Sequence, residues 1–303
     1  MKKTTRKKIS KCIDPVRMRF ENYPNISTTG FHNYHTLPSY FTRSVDEIGG
    51  RVGVEIEMSF QENSEGRSIF TDTLDSNMIW ASSDSSITGH QPLEICTVPL
   101  LRHDAISPAF WKPITNRLVS LGARSYNNIS TGLHVHLDKR LFVKENETPT
   151  SFDIMVARII YGLYVQDAPW KRRVFQRNGS EQFARKNIQG EVLKICQTKL
   201  PEAMRCKECV QKLIEEVEVS HSSRYGEFNT SPNTTVEFRC GKGTLAPERI
   251  ASIAEFCCLF ADYCKTFGKR LYQTSQKHFD AYIARHSRAN SLLQNIFNPA
   301  TES

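Results

Sequence analysis

Three short segments, far apart in the chain, alternate apolar and ionisable residues with a period of two. They cover residues 54–58, 133–137 and 236–240. Because successive side chains of a strand point to opposite faces, the alternation predicts three β-strands that turn their apolar residues into a core. The opposite face then collects the ionisable residues of these segments, which are Glu55, Glu57, His134, His136, Glu237 and Arg239.

The rest of the chain alternates predicted strands and helices without an internal repeat. Extended segments are expected at residues 51–60, 78–80 and 93–98, and apolar residues recur at helical spacing elsewhere. The predicted helices cover residues 110–121, 151–166, 203–219 and 247–268, the first of them ending at Gly122. Strands that alternate irregularly with long helices favour an α+β class, with an antiparallel sheet backed by helices on one face.

The pattern divides the chain into three parts. Residues 1–45 carry little apolar periodicity and are predicted to form a basic disordered tail and an irregular lead-in. Residues 46–270 contain the strands described above and are predicted to form one catalytic domain. Residues 271–303 are predicted to form a polar helical extension at the C-terminus.

Composition indicates a globular protein of the cytoplasm. The chain has 303 residues, of which 39% are hydrophobic and 24% charged, which is ordinary for a soluble domain. No apolar stretch has the length of a membrane span, and no apolar block follows the N-terminal lysines as in a signal peptide. The nine cysteines are irregularly spaced and are expected to be reduced and mostly buried.

The net charge of +8 comes mainly from the N-terminal tail. Without that tail the chain is close to balanced, so the charge does not by itself indicate a nucleic-acid partner. A second basic segment at residues 171–186 has two interpretations, a solvated loop or a loop that closes over phosphates. The basic residues of the tail are Lys2, Lys3, Arg6, Lys7, Lys8 and Lys11.

Carboxylates brought together on one sheet face either take up protons or bind cations. Two such charges about 4 Å apart repel by about 4 kcal/mol at an effective dielectric of roughly 20. Several carboxylate oxygens with one imidazole suit Mg²⁺ or Mn²⁺ supported by phosphates better than a tetrahedral zinc site. Arg239 could then neutralise a phosphoryl group in transfer. Taken singly, a Glu-x-Glu pair is usually part of a solvated face, and a Glu-x-Arg pair is commonly a structural ion pair. Three pairs of ionisable residues, each on a strand with alternating apolar residues, favour an enzyme.

The order of these segments resembles the amidoligase family, whose members are carboxylate–amine ligases similar to glutamine synthetase and glutamate–cysteine ligase. The resemblance extends from about residue 50 to 265. Its motifs are Gly53-Val54-Glu55-Ile56-Glu57, Asp84-Ser85-Ser86, Leu93-Glu94-Ile95, Thr131-Gly132-Leu133-His134-Val135-His136, Val236-Glu237-Phe238-Arg239 and Gly243-Thr244-Leu245. The segment Asp84-Ser85-Ser86 departs from the family's usual Asp-Gly-Ser turn.

This resemblance implies a curved antiparallel sheet, a glutamine-synthetase-like catalytic domain, that binds ATP and two or three Mg²⁺ or Mn²⁺ ions. A carboxylate would be phosphorylated by ATP, and an amine would attack the acyl phosphate. By position, Glu57 and Glu94 resemble ligands of the metal near the acid, and Glu55, His134 and Glu237 resemble ligands of the metal at the nucleotide phosphates. Arg239 resembles the arginine at the γ-phosphate and His136 a second phosphate contact. Further contacts to phosphate or substrate are implied for Arg224 and for one of Arg172 and Arg173.

Two other functions remain open from the residues alone. The same face could serve a metal-dependent hydrolase whose nucleophile is a metal-bound water. A nucleic-acid-binding protein with a degenerate site is less favoured, because an idle site has no reason to keep these pairs. For a ligase, the acid and the amine could be small molecules, peptides or proteins. The resemblance implies that such a ligase can work alongside a glutamine amidotransferase or a peptidase, as some members of the family do. A membrane partner is not expected.

Overall fold

The computed structural model describes residues 52–177 and 226–298, apart from residues 63, 77 and 83, and two short strands nearer the N-terminus. The strands are β1 (Val16–Met18), β2 (Phe31–His32), β3 (Val52–Phe60), β4 (Leu74–Ser76), β5 (Ile79–Ser82), β6 (His90–Thr97), β7 (Ala123–Arg124), β8 (Gly132–Asp138), β9 (Phe228–Asn229) and β10 (Thr235–Lys242). The helices are α1 (Gly66–Thr73), α2 (Arg102–Ala105), α3 (Pro108–Ser120), α4 (Ser151–Tyr164), α5 (Lys171–Phe175), α6 (Pro247–Phe267), α7 (Gln276–His286) and α8 (Leu292–Phe297), with 3₁₀ turns at Lys139–Phe142 and Gly268–Gln273. The predicted helix at residues 203–219 and Arg224 lie outside the described residues.

The main sheet confirms the expected α+β class with an antiparallel sheet. Its strands follow the order β2-β5-β6-β3-β8-β10-β9, and β7 pairs with the end of β3. Every pairing among these strands is antiparallel except the one between β2 and β5. A second parallel pair joins β1 to β4. Neither parallel pair was predicted, because strands of two or three residues are too short to show a period.

The apolar face of the sheet forms the core, as the alternation predicted. Val54, Ile56 and Met58 of β3 are buried, and so are the apolar residues of β8 and β10. Helix α6 covers this face, where the Phe260 ring lies edge-on to Phe238 with centroids 5.4 Å apart. Burial of these side chains fixes which face of each strand points away from the helices, and that face carries the ionisable residues.

Helix α6 is the central helix of the described residues. Pro247 occupies its first turn, where a missing N–H costs nothing, and the helix ends before Gly268. The apolar stripe predicted from the sequence is buried against the sheet, and α3, α4, α7 and α8 pack against other sides of the helix. Even Glu255 is buried on this helix, where its carboxylate accepts hydrogen bonds from Arg288.

Candidate functional site

Strand register brings the predicted site residues together on the sheet face opposite α6. Pairs of residues that face each other across two neighbouring strands turn their side chains to the same side. We call this surface the carboxylate face. The facing pairs are Glu57 with Glu94, Glu55 with His134, Glu237 with His136, and Glu237 with Asn229.

His134 lies at the centre of the carboxylate face, and its ring is only 3% exposed. Its Nδ1 atom is 3.2 Å from Glu55 Oε2 and 3.6 Å from Glu237 Oε1. On the other side of the ring, Nε2 is 3.7 Å from Glu57 Oε1. The imidazole therefore stands between the Glu55–Glu237 side of the face and the Glu57–Glu94 side.

His136 and Glu55 form an ion pair beside this ring. The Nε2 atom of His136 is 3.0 Å from Glu55 Oε1 and 4.0 Å from Glu237 Oε1. Burial alone would lower the pKa of His136, but the two carboxylates, Glu55 foremost, raise it to about 9. Burial would likewise raise the pKa of Glu55, yet His136 and His134 hold it well below its ordinary value. The pair is thus an imidazolium beside a carboxylate at neutral pH.

The carboxyls of Glu57 and Glu94 both have raised pKa values. Burial, and after it the charges of Glu55 and Glu57, raises the pKa of Glu94 to about 9. Burial is also the main cause that raises the pKa of Glu57, partly offset by His134. The Ser82 hydroxyl donates to Glu94 Oε2 at 2.9 Å. Without a bound cation, Glu94 therefore keeps a proton at neutral pH that a metal ion would displace.

Glu237 lies between the other carboxylates of the face and the guanidinium of Arg239. Asn229 Nδ2 donates to Glu237 Oε2 at 2.8 Å, and Arg239 Nη1 forms an ion pair with Glu237 Oε1. Burial alone would lower the pKa of Arg239, but Glu237 and the neighbouring carboxylates raise it. A charged guanidinium is thereby fixed at the rim of the carboxylate cluster.

Within the part of the chain that the structure describes, three overlapping groups of ligand atoms could hold a cation. Within each group the potential ligand atoms lie within 4.8 Å of one another. Carboxylate oxygens dominate all three groups, which suits hard divalent cations. The groups are Glu55, His136 and Glu237; Glu57, Glu94 and His134; and Glu55, Glu94 and Cys96.

None of the three arginines predicted as further phosphate or substrate contacts is placed at the carboxylate face by the described residues. Arg173 donates a hydrogen bond to the Ile296 carbonyl, so its guanidinium contacts α8 and not the carboxylate face. The reason is that α5 packs its residues Val174 and Phe175 into the core, which turns Arg173 toward the C-terminal helices. Arg172 is exposed on the same helix, and Arg224 lies outside the described residues.

The structure adds contacts to the site that the sequence did not predict. Asn229 and Ser82 bind the carboxylates of Glu237 and Glu94, and they reach the face only through strand pairing. The Asp84 charge adds to the burial that raises the pKa of Glu57. A spacing rule within one segment cannot find such contacts, because the partners are distant in sequence.

Lys242 is a further residue of the carboxylate face. It pairs in register with Gly132, two residues before His134, and therefore points to the same side of the sheet. Its Nζ atom lies 3.9 Å from the centroid of the Tyr126 ring. Tyr126 is 49% exposed, so the lysine and the ring together border an open end of the face.

Two loops form the wall at this end. The loop at residues 84–89 is tied to the loop at 125–131, because Thr88 N donates to Ser130 Oγ at 2.8 Å and Asn128 Nδ2 donates to the Thr88 carbonyl. The second loop is also joined to the site strand, since Ser125 Oγ donates to the Glu57 carbonyl at 2.6 Å. These contacts hold the loop walls next to Glu57.

Comparison with known proteins gives no assignment for this chain. No model of a protein family and no curated protein matches it. Among the described residues, no helix combines the length and the apolar character that crossing a membrane requires. The resemblance to the amidoligase family rests on the sequence segments quoted above.

Proposed function

We propose that this protein is an ATP-dependent carboxylate–amine ligase that uses Mg²⁺ or Mn²⁺ and forms an amide or isopeptide bond. One observation carries the proposal: four carboxylates, two imidazoles and a guanidinium converge on a single sheet face, most of them buried. Such a concentration of both charge types suits divalent cations and a phosphorylated ligand together. The resemblance to the amidoligase family points to the same chemistry and to a curved, glutamine-synthetase-like sheet.

The three groups of ligand atoms suit two or three divalent ions. Glu57 and Glu94 would hold the ion nearer the acid, and Glu55 with Glu237 the ion at the nucleotide phosphates. His134 lies between the two pairs, within 3.7 Å of a carboxylate oxygen of each. When bound, these ions would neutralise phosphate charge. The raised pKa values of Glu57 and Glu94 support this assignment, because neighbouring groups do not fully offset the cost of burying these two carboxylates.

In the proposed reaction, a carboxylate oxygen of the acid attacks the γ-phosphorus of ATP and ADP leaves. The amine nitrogen then attacks the carbonyl carbon of the acyl phosphate, loses a proton and expels inorganic phosphate. Arg239 would bind the oxygens of the phosphoryl group in transfer, where positive charge stabilises the transition state. His136, protonated beside Glu55, would contact a second phosphate or the substrate.

The substrates are proposed only as a class, an acid and an amine on small molecules, peptides or proteins. Lys242 and Tyr126 border the end of the face near Glu57, the side assigned here to the acid. A partner that supplies ammonia or a free amine, such as a glutamine amidotransferase or a peptidase, would be compatible with this reaction. No membrane partner is proposed.

Calorimetric titration of nucleotide into purified protein tests the proposal. Wild type is titrated with ATP and with a non-hydrolysable analogue, with and without Mg²⁺ or Mn²⁺. We expect binding that requires the metal and that disappears in Glu237→Ala. Glu145→Ala is the matched control, because Glu145 is an exposed carboxylate away from the sheet. Absence of nucleotide binding under every metal condition would refute the proposal. Cleavage of amides without nucleotide would favour the hydrolase instead.

A further inference from the structure

The strand that carries Arg239 is interrupted at that residue by a β-bulge. Phe238 pairs with Val135 and Gly241 with Leu133, so Arg239 and Cys240 together face the single residue between those partners. Backbone angles at a bulge differ from those of a regular strand, so a bulge changes the angle at which its side chains leave the sheet. The direction of the Arg239 guanidinium therefore depends on what holds this irregular piece of backbone.

Hydrogen bonds hold the bulge from both sides. The N–H of Arg239 donates to the Glu227 carbonyl at 2.8 Å. On the opposite side, Arg177 Nη1 donates to the carbonyl of Arg239 at 2.8 Å and to that of Gly241 at 3.3 Å. A single guanidinium nitrogen thus joins the two carbonyls that flank Cys240. The preceding residue, Gln176, forms a bridge with Gly241 and brings Arg177 to this position.

The charge of Arg177 is partly buried, which is unfavourable for a guanidinium. Burial lowers its pKa, and among the described residues no carboxylate lies within ion-pair distance of it. A partly buried guanidinium without such a partner is costly, and it is normally retained where its fixed fork of donors has a task. Its Nη1 atom also lies next to the site, 3.1 Å from where a side-chain carbon on Gly132 would stand.

We propose that Arg177 is a positioning residue that aims Arg239 at the carboxylate face by locking the β10 bulge. The phosphate-binding task of Arg239 rests on the proposed function, whereas the dependence of the Arg239 side chain on Arg177 does not. Lysine could not replace Arg177 fully, because an ammonium on a flexible stem lacks the fixed planar geometry that directs the Nη1 donors to the two carbonyls.

Arginine Nε–H resonances in a ¹⁵N-labelled sample test the structural step without any nucleotide. Arg239 Nε is buried and has no hydrogen-bond partner among the described residues, so its resonance reports its surroundings. The resonance is assigned by its disappearance in Arg239→Lys. We expect Arg177→Gln to move or broaden it, Arg177→Lys to move it less, and Arg285→Gln, a change at an exposed arginine, to leave it in place. An unchanged Arg239 resonance in Arg177→Gln would overturn the proposal.

A double-mutant cycle tests the functional step. The probe is a non-hydrolysable ATP analogue with Mg²⁺, titrated into wild type, Arg177→Gln, Arg239→Gln and the double variant. We expect each single change to weaken binding about tenfold or more and the double variant to bind no worse than Arg239→Gln, since both act through one side chain. Additive losses would overturn the positioning role, because Arg177 would then contact the ligand itself. Failure of wild type to bind the analogue would refute the proposed function, and the resonance test would still decide the role of Arg177.

Discussion

Replacement of Glu94 by glutamine should stabilise the metal-free protein, although it removes a predicted metal ligand. Burial and the neighbouring charges raise the pKa of this carboxyl from 4.5 to about 9. The folded protein therefore keeps a proton on Glu94 at neutral pH, whereas the unfolded chain releases it. A group whose pKa is raised on folding makes the fold less stable as pH rises between the two values.

The magnitude follows from the two pKa values. Stability is lost at about 1.4 kcal/mol per pH unit between them. At pH 7 the loss reaches roughly 3 kcal/mol, an upper value because Glu57 can share the proton. Glutamine is neutral at every pH, and its carbonyl oxygen can still accept the hydrogen bond that Ser82 gives to Glu94. The Glu94→Gln variant should escape the loss.

Urea unfolding in the presence of a chelator, at pH 5, 7 and 8, measures the effect. We expect Glu94→Gln to be more stable than wild type at pH 7, with the difference larger at pH 8 and below about 1 kcal/mol at pH 5. Glu145→Gln removes an exposed carboxylate and should show no such trend. A variant that is no more stable than wild type at pH 8, or a difference that does not grow with pH, would refute the assignment of a protonated, buried Glu94.

Three further predictions concern the carboxylate face and the core between the sheet and α6. Addition of Mn²⁺ should raise the thermal unfolding midpoint of wild type more at pH 8 than at pH 6, because the proton on Glu94 competes with the cation; an equal shift at both pH values would contradict this. Gly132→Ala should cost about 1–3 kcal/mol in urea unfolding, because its new carbon would lie 2.6 Å from His134 Nε2; wild-type stability would show that the His134 ring does not lie this close to residue 132. Phe260→Ala should cost about 3–5 kcal/mol, since the ring is fully buried among other aromatic rings; a loss below about 1 kcal/mol would show that the core there collapses.

Alternation within a strand was enough to predict which residues share a face. Glu55 and Glu57 stand opposite the buried Val54, Ile56 and Met58, as the period of two requires. The same rule applies to the histidines of β8. Strand bounds were also predicted closely, because apolar runs end where burial ends. Helix α6 was predicted for a similar reason, since a long apolar stripe at helical spacing is typical of a helix packed against a core.

Register between strands could not be predicted in this way. No local pattern states that Glu57 faces Glu94 or that Glu237 faces Asn229, because pairing depends on the whole sheet. The bulge at Arg239 could not be predicted either, because alternation within a segment assumes a regular strand. The predicted contact from one of Arg172 and Arg173 was inferred from charge and position alone, and packing of α5 turns the Arg173 side chain to α8.

The position of the charged residues on strands also bears on how the chain selects its pairing while it folds. A slip of one residue in β3 would bury Glu55 and Glu57 against α6 and expose Val54, Ile56 and Met58. Two buried carboxylates without partners would cost several kcal/mol, far more than a slip costs in an ordinary polar strand. The residues that we assign to catalysis therefore also penalise misaligned sheets, so substitutions that neutralise them should weaken the preference for correct register as well as the chemistry.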